Sequence, residues 1–165
     1  MGRSTQAETE RVFVALGSNL GDRRAHLAAG LAALGTLGTV VPSPLVMETP
    51  DESGQGPAYL NTVVILATGE ADPRRLLESL LRLELATGRD RSAGRNAPRT
   101  LDLDLITTDS PSGRWTWATP EDLRILGPEL NLELPHPRAF SRPFVLEPWR
   151  ALSDPSACGG VIPIG

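Results

Sequence analysis

The order of apolar segments along this 165-residue chain predicts an α+β fold with a central, mostly antiparallel sheet. Short apolar runs at 12–16 and 59–68, rich in β-branched residues, are typical of buried strands. Segments with leucines at helical spacing follow these runs and predict amphipathic helices. The resulting order is strand, helix, strand, strand, helix and strand, which is the ferredoxin-like βαββαβ order. Extra short elements are expected at the C-terminal end.

The first half of the chain is predicted to continue from its first strand into a helix at about 22–36. Three leucines of this segment share one face, and Asp22 is a residue type that caps a first helical turn. A strand at 38–48 follows, and the polar residues at 51–58 are expected to form a loop.

The second half begins with the strand at 59–68 and a helix that starts at Asp72 and Pro73. Asp is a frequent N-cap, and Pro suits the first helical position because its missing N–H has no helical partner there. The helix is expected to run to about Thr87, where Gly88 suits its C-terminal stop.

The last third of the chain is harder to interpret. Residues 108–131 contain Pro, Gly, Ser and two tryptophans, and they give no clear pattern. A short strand is predicted at 132–134, followed by short helical pieces around 139–149.

Composition indicates one globular domain. Apolar residues make up 40% of the chain and charged residues 22%. The polar residues 1–10 lack the apolar stretch of a signal peptide and are expected to form a disordered tail, which leaves 11–165 as a single domain. No apolar run approaches the roughly 20 residues of a membrane span, so no membrane partner is expected. Cys158 is the only cysteine, which excludes an internal disulfide and favours a cytoplasmic location.

The charged residues limit the possible chemistry. The net charge of −4 argues against a nucleic-acid partner. All 16 basic residues are arginine, which excludes the P-loop and the protein-kinase site because both need a lysine. If the protein binds phosphates, arginines and metal ions must neutralise them.

The segment Leu101-Asp102-Leu103-Asp104-Leu105 is the most informative part of the chain. Successive side chains of a strand point to opposite faces, so the leucines can pack into a core while both aspartates project from the other side. The aspartates would lie about 6.6 Å apart along the strand. Two carboxylates at this distance repel each other, and a bound cation relieves the repulsion. On this pattern alone, an ordinary strand with an acidic outer face is an equally good interpretation.

Arginines just upstream favour the functional interpretation. Arginine binds phosphate directly, and aspartate binds it through a divalent metal, so the two together suit one polyanion. The hard oxygen ligands favour Mg²⁺ over Zn²⁺. For any single arginine a solvated basic loop is the alternative, but four of them lead into the aspartate strand, namely Arg89, Arg91, Arg95 and Arg99.

Four further residues are candidates for ligand binding. His136 stands between two prolines and could donate to a phosphate oxygen or transfer a proton; a histidine packed at a loop is the alternative. Tyr59 and Asn61 share a strand face and offer a ring and an amide, which suits a planar heterocycle. Phe144 is a possible second stacking ring. Taken singly, each of these residues is more often core or surface.

Together these features resemble the 6-hydroxymethyl-7,8-dihydropterin pyrophosphokinases of folate biosynthesis. The resemblance extends from about Val12 to Trp149. Its landmarks are Leu16-Gly17-Ser18-Asn19-Leu20-Gly21, Tyr59-Leu60-Asn61, Gly88-Arg89, Pro98-Arg99-Thr100-Leu101-Asp102-Leu103-Asp104, and Pro135-His136-Pro137-Arg138 with Arg142 and Phe144.

The resemblance implies a reaction and a set of site residues. The terminal diphosphate of ATP would move to the hydroxymethyl oxygen of the pterin and leave AMP. Asp102 and Asp104 would hold two Mg²⁺ ions. Phosphate or nucleotide contacts are implied for Arg89, Arg91, Arg99, Glu84, His136 and Arg142, with Arg89 and Arg91 on a loop that closes over the substrates. The pterin would stack between Tyr59 and Phe144, and its polar edge would meet Asn61, Thr49 and Pro50.

The chain departs from the family pattern at three positions. Many members have an aromatic residue where this chain has Asn96, and some have a tyrosine where it has Pro137. Asn131 lies where a basic residue can help to bind ATP. Two alternatives remain at this point: a non-catalytic ferredoxin-like binding module, and another Mg²⁺-dependent nucleotidyl or phosphoryl transferase. A monomer that acts on small molecules is expected.

Overall fold

The computed structural model describes residues 10–51, 54, 56–87, 101–109 and 112–153, and its centre is a five-stranded antiparallel sheet. The strand order is β2-β4-β1-β5, and the short β3 also pairs with β4. This order confirms the predicted ferredoxin-like fold. The strands are β1 (Glu10–Ser18), β2 (Gly38–Pro42), β3 (Met47–Thr49), β4 (Tyr59–Thr68) and β5 (Asp102–Thr108).

Two helices complete the predicted order: α1 (Arg23–Leu34) and α2 (Pro73–Ala86). Both start as expected. The Ala25 N–H donates to Asp22 Oδ1 at 3.1 Å, and the Arg74 N–H donates to Asp72 Oδ1 at 3.0 Å.

The sheet separates two apolar clusters because neighbouring side chains of each strand face opposite ways. The first, the leucine-rich cluster, packs β1 residues such as Val14 and β5 residues such as Leu103 against α1 and α2. The other contains Phe13 and Val63 and packs against a third helix, α3 (Pro143–Ser153). Helices α1 and α2 therefore lie on one face of the sheet, and α3 covers the other.

The predicted strand at 38–48 is wrong as a single element, because the structure divides it into β2 and β3. Pro42 and Pro44 lack the N–H that a continuous ladder needs. Side chains hold the intervening bend instead, since the Thr62 hydroxyl donates to the Leu45 carbonyl oxygen at 2.9 Å.

The described residues of 108–131, which gave no pattern, include β6 (Gly113–Ala118) and a 3-10 helix at Glu121–Leu126. β6 pairs with β7 (Glu129–Leu134) in a separate two-stranded sheet, so the strand predicted at 132–134 begins earlier. Trp115 and Trp117 of β6 pack against the leucine-rich cluster.

Other boundaries differ slightly. β1 begins at Glu10, inside the segment expected to be a tail, and α1 is shorter than the predicted 22–36. The predicted helical pieces at 139–149 are a 3-10 turn followed by α3, which extends to Ser153. Predictions about residues 1–9, Gly88 and Cys158 lie outside the described residues. Across the described ranges, no helix is both long and apolar enough to cross a membrane.

Candidate active site

The alternation of the aspartate strand is confirmed. Leu101, Leu103 and Leu105 are 0%, 3% and 3% exposed and belong to the leucine-rich cluster. Asp102 and Asp104 are half-buried on the opposite face of β5. Both aspartates therefore sit on the side of the sheet that faces α3.

Two cavities meet at the aspartate pair, because Asp102 and Asp104 line both of them. The larger cavity has a volume of about 500 Å³ and lies between α2, β5 and the β6–β7 hairpin. The smaller has a volume of about 170 Å³ and lies between the sheet, β3 and α3. A ligand in either cavity would lie against the same two aspartates.

The smaller cavity brings together five of the residues predicted for the heterocycle: Thr49, Pro50, Tyr59, Asn61 and Phe144. Two aromatic side chains, both half-buried, are thus available as stacking surfaces.

The side chain of Asn61 has a fixed orientation in the smaller cavity. It is 7% exposed, and its Nδ2 donates to Thr49 Oγ1 at 2.8 Å and to the Met47 carbonyl oxygen at 3.4 Å. Its Oδ1 lies toward Gly17, where an added methyl group would be 3.2 Å from that oxygen. The amide nitrogen of Asn61 thus donates to groups of the protein, and its oxygen points toward Gly17 in the smaller cavity.

Gly17 and Asp51 also line the smaller cavity, and sequence reasoning did not identify either as a site residue. Gly17 is opposite Asn61 in β4 and opposite Asp102 in β5. A glycine inside a strand often marks the close approach of another group, so the signal was present in the sequence. Asp51 follows the Thr-Pro pair in a polar loop, where nothing distinguished it.

Arg142 lines the smaller cavity, although the family resemblance predicted contacts with nucleotide phosphates. Its guanidinium carbon lies 5.6 Å from the centre of the Phe144 ring, within the range of a cation–π interaction. Arg142 thus shares the smaller cavity with Phe144 and the aspartate pair.

Glu84 lines the larger cavity and is 2% exposed. Its Oε1 accepts a hydrogen bond from the Leu103 N–H at 2.7 Å. β5 is an edge strand of the sheet that the described residues form, and the carboxylate gives this N–H a hydrogen-bond partner. Glu84 thus fixes the backbone between the two aspartates.

His136 also lines the larger cavity and is half-buried. Its backbone N–H donates to the Ile106 carbonyl oxygen at 2.7 Å, and its Nδ1 accepts from the Arg138 N–H at 3.2 Å. Burial, and then the charges of Arg142 and Arg138, lower the pKa of His136 below its usual value of 6.5. The imidazole is therefore neutral at pH 7 and carries its proton on Nε2, as a hydrogen-bond donor.

The polar face of the β6–β7 hairpin forms the outer wall of the larger cavity. Thr116 Oγ1 donates to Asn131 Oδ1 at 2.8 Å, and the Arg114 guanidinium forms a 3.1 Å ion pair with Glu133. All four line the cavity. The sequence analysis assigned no site residue on β6 because it recognised no strand there.

The predicted phosphate-binding residues Arg89, Arg91 and Arg99 lie outside the described residues, and so does Asn96. Their placement relative to the cavities stays a prediction.

The donor set at the aspartate pair fits Mg²⁺ as a metal shared with a substrate. In the part of the chain that the structure describes, no three His, Cys, Asp or Glu side chains are grouped so as to hold a metal ion. Mg²⁺ commonly binds one or two carboxylates and completes its shell with water and substrate phosphates. Asp102 and Asp104 are such a pair, and both face the cavities.

Most of the chain matches a known protein family. The profile of the 7,8-dihydro-6-hydroxymethylpterin-pyrophosphokinase family matches residues 13–154. Three similar proteins are named 2-amino-4-hydroxy-6-hydroxymethyldihydropteridine pyrophosphokinase. The one from Mycobacterium leprae is 40% identical over 144 residues, which cover 87% of this chain and 72% of the relative. The relative from Mycobacterium tuberculosis is 38% identical over 147 residues, which cover 89% of this chain and 74% of the relative. The relative from Pseudomonas aeruginosa is 36% identical over 146 residues, which cover 84% of this chain and 78% of the relative.

Proposed function

The chain belongs to the 7,8-dihydro-6-hydroxymethylpterin-pyrophosphokinase family, and we propose that the two cavities meeting at Asp102 and Asp104 are its nucleotide and pterin sites. The protein transfers pyrophosphate from its co-substrate ATP to hydroxymethyldihydropterin, a step in folate biosynthesis. Family membership selects this reaction over the binding module and the other transferases that the sequence left open.

The shared aspartate pair is the observation that supports the site assignment. The hydroxymethyl oxygen must reach the β-phosphorus of ATP, so the two substrates must meet end to end. Two cavities with common residues at their junction meet this requirement. ATP is the larger substrate and suits the cavity of about 500 Å³, whereas the two rings of the smaller cavity suit a flat heterocycle.

In the smaller cavity the pterin stacks between Tyr59 and Phe144. Asn61 Oδ1 accepts a hydrogen bond from a pterin N–H, because the amide nitrogen already donates to Thr49. Thr49 and Pro50 border the polar edge of the ring. Arg142, whose guanidinium carbon lies 5.6 Å from the centre of the Phe144 ring, brings a positive charge to the same cavity.

In the larger cavity His136 donates its Nε2–H to a phosphate oxygen. The lowered pKa keeps this imidazole neutral, so it acts as a hydrogen-bond donor without a net charge. Glu84 acts through β5: by holding the Leu103 N–H it fixes the direction in which the flanking aspartates project.

Asp102 and Asp104 would hold two Mg²⁺ ions together with phosphate oxygens of ATP. When bound, such ions neutralise the charge that develops on the attacking and leaving oxygens. Arg89, Arg91 and Arg99 are proposed as direct phosphate contacts on the basis of the family resemblance alone.

The protein is proposed to act as a cytoplasmic monomer. A single cysteine suits a reducing compartment, and ATP is available there. Every residue proposed here for either site comes from one chain, so no second copy is needed to complete the cleft.

Product analysis with paired asparagine variants tests the proposal. Wild-type protein with ATP, Mg²⁺ and the pterin should yield AMP and the pterin diphosphate, which ³¹P NMR distinguishes from ADP and a monophosphate. Asn61→Ala should raise KM for the pterin about tenfold, by loss of a buried hydrogen bond, with KM for ATP unchanged. Asn131→Ala, in the larger cavity, should leave KM for the pterin unchanged. A reversed pattern would contradict the cavity assignment.

A further inference from the structure

The residues just before β4 accept hydrogen bonds from a side chain of the β1–α1 connection and from the first residue of α1. Asn19 Nδ2 donates to the Pro57 carbonyl oxygen at 3.2 Å, and Arg23 Nη1 donates to the Ala58 carbonyl oxygen at 2.8 Å. Both backbone acceptors lie just before the strand that carries two of the proposed pterin contacts. These two hydrogen bonds hold the backbone that leads into β4.

Arg23 also reaches the neighbouring strand. Its Nη2 donates to Glu48 Oε2 at 2.9 Å in β3. Glu48 directly precedes Thr49, and Ala58 directly precedes Tyr59. Thr49 and Tyr59 are paired across β3 and β4 and both line the smaller cavity. The Arg23 guanidinium thus binds both Glu48 and Ala58, and each of these immediately precedes a residue that lines the smaller cavity.

We infer that Arg23 is a positioning residue for the pterin, which it affects through Thr49 and Tyr59. The inference rests on the proposed function of the smaller cavity. Arg23 itself is not among the described residues that line either cavity, so its proposed role is to position other residues. Its guanidinium is planar and offers several donors, which lets it serve both acceptors at once.

The two hydrogen bonds of Arg23 differ in strength. The bond to Ala58 is a charge-assisted hydrogen bond to a part-buried backbone carbonyl, the stronger class of interaction. Glu48 is 56% exposed, so water screens the ion pair to it. The structure therefore assigns most of the positioning to the contact with Ala58.

Binding of each substrate to Arg23→Met is the test. Titration calorimetry would use 6-hydroxymethyl-7,8-dihydropterin and, separately, a non-hydrolysable ATP analogue with Mg²⁺. We expect Arg23→Met to weaken pterin binding about tenfold, equivalent to about 1.4 kcal/mol, and to change the Kd of the ATP analogue by less than about twofold. Glu48→Gln retains the Ala58 contact and should lower pterin affinity by less than about threefold.

A matched control is Arg74→Met. Arg74 is an exposed arginine whose 3.1 Å ion pair with Asp72 lies at the start of α2, and its loss should leave both affinities unchanged. The inference is overturned if Arg23→Met binds the pterin like wild type, or if it loses affinity for both ligands equally. Wild-type protein that fails to bind the pterin would instead overturn the proposed function itself.

If Arg23→Met does not fold, Arg23→Lys provides the same test. Lysine keeps the positive charge but presents one ammonium group, which cannot match the planar fork of arginine. Pterin affinity should then fall about threefold with ATP-analogue affinity unchanged. Wild-type pterin affinity in a folded Arg23→Lys protein would overturn the inference.

Discussion

Replacing Glu84 with alanine should destabilise the strand that carries the aspartate pair. The carboxylate is 2% exposed and accepts from the Leu103 N–H at 2.7 Å, so its loss leaves a buried backbone donor without this acceptor. An unsatisfied buried donor costs about 1–3 kcal/mol, and a hydrogen bond to a charged group contributes about 1.5–3 kcal/mol. We therefore expect Glu84→Ala to lower the free energy of unfolding by about 2–3 kcal/mol.

Urea denaturation and thermal melting measure this loss. For a domain of this size it corresponds to a decrease in Tm of about 4–12 °C. Glu84→Gln keeps a carbonyl acceptor in the same place and should recover more than half of the loss. Glu78→Ala, a half-buried residue of the same helix, is the control and should change stability by less than about 0.5 kcal/mol. A Glu84→Ala protein as stable as this control would refute the role given to Glu84.

Two further predictions concern other residues of the cleft. Gly17→Ala should weaken pterin binding about tenfold, because the added methyl group would lie 3.2 Å from Asn61 Oδ1. Unchanged pterin affinity in calorimetry would show that the ligand does not contact the smaller cavity at Gly17. Burial lowers the pKa of His136 in the folded state, so the folded protein resists protonation that the unfolded chain accepts near pH 6.5. Wild type should therefore lose stability relative to His136→Gln as the pH falls from 7 through 6.5. If the urea midpoints of the two proteins changed equally with pH over this range, the lowered pKa of His136 would be contradicted.

Local pattern was enough to predict the sheet and the orientation of the aspartates. Strand periodicity depends only on the backbone, so the alternation of leucine and aspartate at 101–105 identified both faces of β5. Apolar, β-branched sequence likewise located β4, whose observed bounds Tyr59–Thr68 match the prediction. The same reasoning failed at 38–48, where Pro42 and Pro44 end the ladder inside an otherwise strand-like run.

Contacts between distant residues could not be predicted in this way. The Glu84 carboxylate accepts a hydrogen bond from the Leu103 N–H, and the Arg23 guanidinium donates one to the Ala58 carbonyl oxygen. Neither pair of residues is related by the period of a helix or a strand. Both contacts depend on how α1 and α2 dock on the sheet. The family resemblance predicted five residues of the smaller cavity, but only packing shows that the aspartate pair is common to two cavities.

Turnover of single aspartate variants tests the central claim most directly. Asp102→Asn and Asp104→Asn should each lower kcat by about 10²–10³-fold, measured as AMP formed from ATP, Mg²⁺ and the pterin, because each removes a charge aimed at the reacting phosphates. Asp109→Asn alters an exposed aspartate just after the same strand, paired with Arg11, and should keep wild-type kcat. If Asp102→Asn or Asp104→Asn turned over like Asp109→Asn, the aspartate pair would not be the catalytic junction of the two cavities.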